Sequence, residues 1–170
     1  MTDDYIKKSP NAGRIGTAVE HLVAASCILA SNAELNVSTS MVDDEGVDLV
    51  FHRRGSPTTL AVQVKARLAD TSTAQRGRFM AFVRTATFAP RPGLHMLFVL
   101  VDRPTATIQR AWFVPSDDFA RLARPTKQGT LRFFASSKAD TGDQWSEWAT
   151  EFSALPARIL DESERLSALA

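Results

Sequence analysis

Four residues of this chain carry groups suited to one kind of chemistry: Glu20, Asp48, Gln63 and Lys65. Two carboxylates and an amide oxygen are hard oxygen donors, which suit Mg²⁺ or Mn²⁺ rather than zinc. A divalent ion held by such donors polarises a phosphodiester and generates hydroxide from bound water. Lys65, two residues beyond Gln63, would stand beside the ion. There its ammonium group could stabilise charge on a pentavalent phosphorane or help deprotonate the attacking water. The set is equipment for hydrolysing a phosphodiester. Its bland counterpart is a solvated polar face on an ordinary hairpin.

The elements that must position these groups follow from periodicity. Gly46–Phe51 and Leu60–Ala66 both alternate apolar with other residues, the period of a β-strand. Between them Arg53-Arg54-Gly55-Ser56-Pro57-Thr58 has the composition of a turn. Antiparallel pairing about that turn sets Asp48 opposite Gln63–Lys65. Period two then puts Gln63 and Lys65 on one face, with Val62 and Val64 on the other. Glu20 falls in a helix predicted from Gly16 to Ser31, apolar around most of its circumference and so buried on more than one side. Its helical neighbours are Val23, Ala24 and Cys27. A carboxylate in such company is seldom buried without a partner or a metal. The alternative is a rim position, pointing to water or paired with an arginine.

The remainder reads as alternating elements. Residues up to about Arg14 form an irregular lead-in, with Pro10–Gly13 as a turn. Asn36–Val42 is a weak first strand, and Asp43-Asp44-Glu45-Gly46 an acidic turn. Asp70–Gly77 is loop-like. Phe79, Phe82, Val83 and Ala86 recur at helical spacing and predict a short helix, stopped by Ala89-Pro90-Arg91-Pro92-Gly93. Leu94–Val101 is a continuous apolar run, expected to be a central strand buried on both faces. Ala111–Val114 is a further strand. Ser116 is a natural N-cap for a helix over Phe119–Ala123. Leu131–Phe134 suits a late edge strand. Trp145, Trp148, Phe152 and Leu155 stand at helical spacing before a break at Pro156, and a last helix runs from Ile159 to Leu169. This is an α/β domain with a mixed sheet.

On these residues the chain resembles the PD-(D/E)xK nuclease superfamily, the restriction-endonuclease-like fold with its α-β-β-β-α-β core. Asp48, in Gly46-Val47-Asp48, matches the acid of the second strand. Lys65, in Val62-Gln63-Val64-Lys65, matches the lysine of the third, and Glu20 matches the acid of the first helix. Trp112–Phe119 is similar to a strand-to-helix segment of such domains. The likeness covers about residues 13–123, with a strand and helices over about 130–170 as an extension of one domain. Val47 stands where the motif's name has proline. Gln63 stands where an acid is expected, a Gln-x-Lys variant also found in active branches. An amide binds a cation more weakly than a carboxylate, unless Glu20 supplies the charge. The resemblance implies a Mg²⁺- or Mn²⁺-dependent endonuclease acting on DNA, with RNA as another substrate. Glu20, Asp48 and Gln63 would surround the metal, with Lys65 as the catalytic cation.

Net charge is only +1, so no global basic signature accompanies this expectation. Locally, however, Arg67, Arg76, Arg78, Arg84 and Arg91 share a stretch whose only acid is Asp70. Arg67, Arg76, Arg78 and Arg84 are the candidate phosphate contacts. The single cysteine, Cys27, excludes an internal disulfide framework and suits packing. His21, His52 and His95 have no metal-ligand spacing. No phosphate-binding glycine loop is present. No run is long enough to span a membrane, and Met1–Asp4 is too acidic for a secretory signal, so the expected compartment is the cytoplasm. Two other functions fit the same residues: a nuclease-like domain that binds nucleic acid without cutting it, or an interaction module that dimerises through its C-terminal aromatic helices.

Overall fold

The computed structural model describes residues 10–41 and 45–170. Its centre is the apolar run expected to be buried on both faces. β5 (Leu94–Asp102) is flanked by β3 (Thr59–Leu68), which runs parallel to it, and by antiparallel β6 (Thr107–Pro115). The sheet continues through antiparallel pairings to β2 (Leu49–Arg53) and β1 (Leu35–Thr39) on one side and to β9 (Ala149–Thr150) on the other. The resulting order is β1-β2-β3-β5-β6-β9. One parallel pair among antiparallel ones makes it the expected mixed sheet.

Each face of this sheet is covered by a different layer. Over the Val62/Val64 face lie α1 (Pro10–Ala30) and α4 (Leu155–Leu169). Val19, Val23 and Cys27 of α1 and Leu155 and Ile159 of α4 share a core with Phe51, Leu97 and Val99. Over the opposite face lies a second sheet, in the order β4 (Arg78–Arg84), β8 (Thr130–Ser136), β7 (Arg124–Pro125). Its inward residues Phe79, Val83 and Phe133 pack on Met96, Phe98 and Trp112. The Phe98 and Phe133 rings stack with centroids 3.8 Å apart. α3 (Ser116–Leu122) closes one side of this second core with Phe119.

Several expectations change. The segment predicted as a helix on Phe79, Phe82, Val83 and Ala86 is the strand β4, whose alternating residues Phe79, Ala81 and Val83 are buried. Pairing with β8 decides the matter, since periods of two and of three-to-four both fit this short run. The helical step of the core is instead the single turn α2 (Ser72–Gln75), capped by the Thr71 side chain. Pro10–Gly13 is not a turn but the first turn of α1, where proline is tolerated because its missing N–H would be unbonded anyway. Leu131–Phe134 lies in β8, the middle strand of its sheet rather than an edge. Ser116 does not cap α3: it is buried, and its hydroxyl accepts from Arg91 N–H and donates to Arg91 C=O. The first strand ends at Thr39, and Val42, Asp43 and Asp44 lie outside the described residues, as do residues 1–9.

The aromatic tail also differs. Trp145 to Leu155 is not one helix but two 3-10 turns separated by β9, and Pro156 starts α4 rather than breaking a helix. Trp145 is fully buried in the second core and Leu155 in the first, so neither is offered to a partner subunit.

Candidate active site

The hairpin places Asp48 beside β3 as its alternation requires. Leu49 pairs with Val62, so the residue before it comes level with Gln63. The Asp48 backbone N–H donates to Val62 C=O at 3.0 Å, extending the ladder one step past β2. The side chain turns back on the same strand: Asp48 Oδ2 accepts from the Val64 N–H at 2.6 Å. Val64 is the residue between Gln63 and Lys65. The carboxylate is therefore fixed to the stretch of backbone that carries the other two groups, by a charge-assisted bond of the stronger kind.

Gln63 and Lys65 share a face. Gln63 pairs with Met96 and Lys65 with Phe98, and both of those belong to the core under the second sheet. Gln63 is 5 % exposed, and its carboxamide makes no hydrogen bond among the described residues. It is held by shape instead. Gly46, buried and left-handed at φ +66°, lies so close that a Cβ there would stand 2.8 Å from Gln63 Nε2 and 3.2 Å from Thr87 O. Glycine meets both demands of that position, the positive φ and the close approach. From the sequence Gly46 closes an acidic turn and opens the Asp48 strand; its contact with Gln63 depends on a register that no local pattern displays.

Asp48, Gln63 and Lys65 are thus brought together. Glu20, half-buried, belongs to the helix over the other face of the sheet, one residue past the buried Val19. Among the described residues no three His, Cys, Asp or Glu side chains gather as a metal cage.

The arginines separate into two kinds. Arg67 braces the fold: its Nε donates to Met80 C=O at 2.9 Å and its Nη1 to Ala66 C=O at 2.8 Å, tying β4 to β3. Arg76, Arg78 and Arg84 are exposed, and none has a carboxylate partner among the described residues. Arg91 has one, Glu45 at 3.5 Å.

Other reactive groups are inert by environment. Burial pushes the Cys27 thiol up to about 12, which removes it as a nucleophile. His95, the second residue of β5, is buried and stacked on Phe113 at 4.5 Å. Burial pulls its pKa down to about 4, although Glu162, 3.6 Å away on α4, favours the cation. An open depression of about 570 Å³ flanks β1 and β2, with Ser38 Oγ 3.0 Å from His52 Nε2. No carboxylate among the described residues bonds that imidazole, so the pair lacks the third group that orients a base.

A solved structure described as that of a bacterial homing endonuclease, I-Ssp6803I, is similar to this one. The likeness covers 95% of this chain and 99% of that one, with a TM-score of 0.57 at 15% sequence identity. At that identity the likeness is one of fold. No family model matches the chain, and no curated protein does. Among the described residues no helix is long and apolar enough to cross a membrane.

Proposed function

We propose that the chain is a metal-dependent endonuclease acting on DNA, a Gln-x-Lys variant of the PD-(D/E)xK type. Asp48 and Gln63 would hold Mg²⁺ or Mn²⁺, with Lys65 as the catalytic cation, and Glu20 would be a further ligand only by reaching the ion from the helix over the other face. The observation that carries this reading is the Val64 N–H···Asp48 bond, which holds a carboxylate against the strand bearing Gln63 and Lys65. The shared fold of a homing endonuclease supports it.

The donor set suits a hard cation. Asp48 Oδ1 and the remaining lone pairs of Oδ2 are oxygen donors, and Gln63 adds a neutral one whose amide has no competing hydrogen bond among the described residues. When bound, the ion supplies the charge that polarises phosphate and eases ionisation of water. The chain's own groups do the rest. Val64 orients Asp48, and Gly46 restricts the Gln63 amide. Lys65 supplies a cation to the negative charge that grows on the phosphate oxygens. Glu20, if it reaches the ion, would offset the charge that glutamine lacks. Arg76, Arg78 and Arg84 hold flanking phosphates, with Arg67 steadying the strand between.

The test is cleavage of plasmid, linear duplex, single-stranded DNA and RNA with Mg²⁺ or Mn²⁺. Cutting of DNA is expected, with Lys65→Ala and Asp48→Ala each slowing it about 10²–10⁴-fold, the range for losing an acid–base or charge-stabilising group. Failure to cut every substrate with either metal refutes the reading. Gln63 in an acid's place favours one alternative, a nuclease-like domain that binds nucleic acid without cutting it. That domain would bind in a salt-sensitive manner with no response to Mg²⁺.

A further inference from the structure

The second sheet has an outer face as well as the inner one that fills the core. β4 and β8 alternate, so Arg78 and Arg84 of β4 and Arg132 and Phe134 of β8 point away from Phe79, Val83 and Phe133. β7 adds Arg124, directly opposite Arg132. The three strands contain no acidic residue. Several arginines elsewhere have a carboxylate partner: Arg53 with Glu34, Arg91 with Glu45, Arg103 with Asp70, Arg121 with Asp118 and Arg165 with Glu162. On this face none of the four has a carboxylate partner among the described residues. Two like charges directly across a ladder destabilise it. Arg124 and Arg132 therefore form a strained cationic pair that an external polyanion would relieve.

Phe134 organises the patch. It is 44 % exposed, large for a phenylalanine in the middle strand of a sheet. The guanidinium groups of Arg78 and Arg132 lie 5.8 and 5.9 Å from its ring centroid, so one aromatic face steadies two cations. The patch also adjoins the candidate site. Met80 of β4 accepts from Arg67 of β3, and Thr87, three residues past Arg84, lies against Gly46 beside Gln63. Strand β4 thus runs alongside the row Gln63, Lys65, Arg67.

We propose that the outer face of β4-β8-β7 is a docking surface for duplex DNA, with Arg78, Arg84, Arg124 and Arg132 on phosphates and Phe134 setting the spacing of two of them. This rests on nucleic acid being the partner proposed above, and it extends the contact beyond the segment Arg67–Arg84 to two strands distant in sequence. A face without acids complements a partner of one charge only, the negative one that a phosphate backbone carries.

The experiment measures binding of a labelled 20-base-pair duplex to the full chain in EDTA, so that binding is read without cleavage, over a range of salt concentrations. The double variant Arg124→Ala/Arg132→Ala is expected to bind roughly tenfold more weakly at low salt. Its log–log salt slope should be shallower by about 1.8, the value for two lost phosphate contacts. Its melting temperature should stay level or rise, because a like-charge pair has gone. Phe134→Leu keeps the apolar bulk, loses the π face, and should weaken binding severalfold. If wild type binds and cuts DNA while both variants bind like wild type, the surface is overturned and the nuclease reading stands. If wild type binds through these residues but never cuts, the surface stands and the nuclease reading falls. If wild type binds no duplex, the surface is overturned.

Discussion

The contact between Gly46 and Gln63 gives a prediction whose magnitude can be worked from geometry with an internal control. Gly46 and Gly55 both sit at positive φ, +66° and +73°. An alanine at either must adopt the left-handed region, at a cost of about 1–2 kcal/mol. At Gly55 nothing lies within 4 Å of the added Cβ, so that backbone cost is the whole effect. At Gly46 the Cβ meets Gln63 Nε2 at 2.8 Å and Thr87 O at 3.2 Å, well inside ordinary contact. Something must move, and overpacking of this kind adds about 1–3 kcal/mol.

For a chain of this size each kcal/mol shifts the melting temperature by roughly 2–4 °C. Gly55→Ala should therefore melt about 2–8 °C below wild type, and Gly46→Ala lower again by about 2–12 °C. Thermal melts of the two variants give the comparison. Metal-dependent DNA cleavage gives a second one: Gly55→Ala should cut like wild type, and Gly46→Ala should be slowed because the Gln63 amide is displaced. Equal destabilisation by the two substitutions would show that Gln63 is not pinned by Gly46. A stable Gly46→Ala variant cutting at the wild-type rate would show that the amide's position does not matter.

Three further outcomes are expected. Gln63→Glu adds a carboxylate to the donor set and should tighten Mn²⁺ binding by roughly tenfold or more in calorimetry; an unchanged affinity would remove Gln63 from the ligands. Asp48→Ala leaves the buried Val64 N–H without an acceptor and should cost about 1–3 kcal/mol in chemical denaturation, whereas Asp48→Asn keeps an acceptor oxygen and should recover most of that loss. His95, with its pKa lowered from 6.5 to about 4 by burial, is neutral in the folded chain and takes up a proton more readily when unfolded. Its contribution to stability is therefore complete above about pH 6.5 and is lost as pH falls towards 4, an effect of about 3 kcal/mol. The Glu162 carboxylate beside it, held low by Arg165, stays ionised over most of that window. Melts from pH 7 to pH 4 should steepen for wild type and flatten for His95→Leu; parallel curves would show that His95 does not set the acid limb.

Legibility from sequence followed the range of the interactions involved. Leu94–Val101 was readable as a buried central strand because burial on both faces leaves its mark in every residue of the run. The Asp48–Lys65 hairpin was readable because a turn and two alternating strands fix their own register within twenty residues. β4 was not. Its seven residues fit a helix as well as a strand, and what makes them a strand is β8, about fifty residues later. The same non-local pairing hid the full cationic face: Arg124 and Arg132 are unremarkable in sequence and join Arg78 and Arg84 only when three strands are laid side by side. It also hid the wall behind Gln63, which needs Gly46 and Thr87 from two different connections. The chemistry-bearing residues of this chain were thus legible wherever one hairpin could place them. The wall that would restrict Gln63 comes from two connections and the surface that would deliver a substrate from the second sheet, and local periodicity carries no record of either.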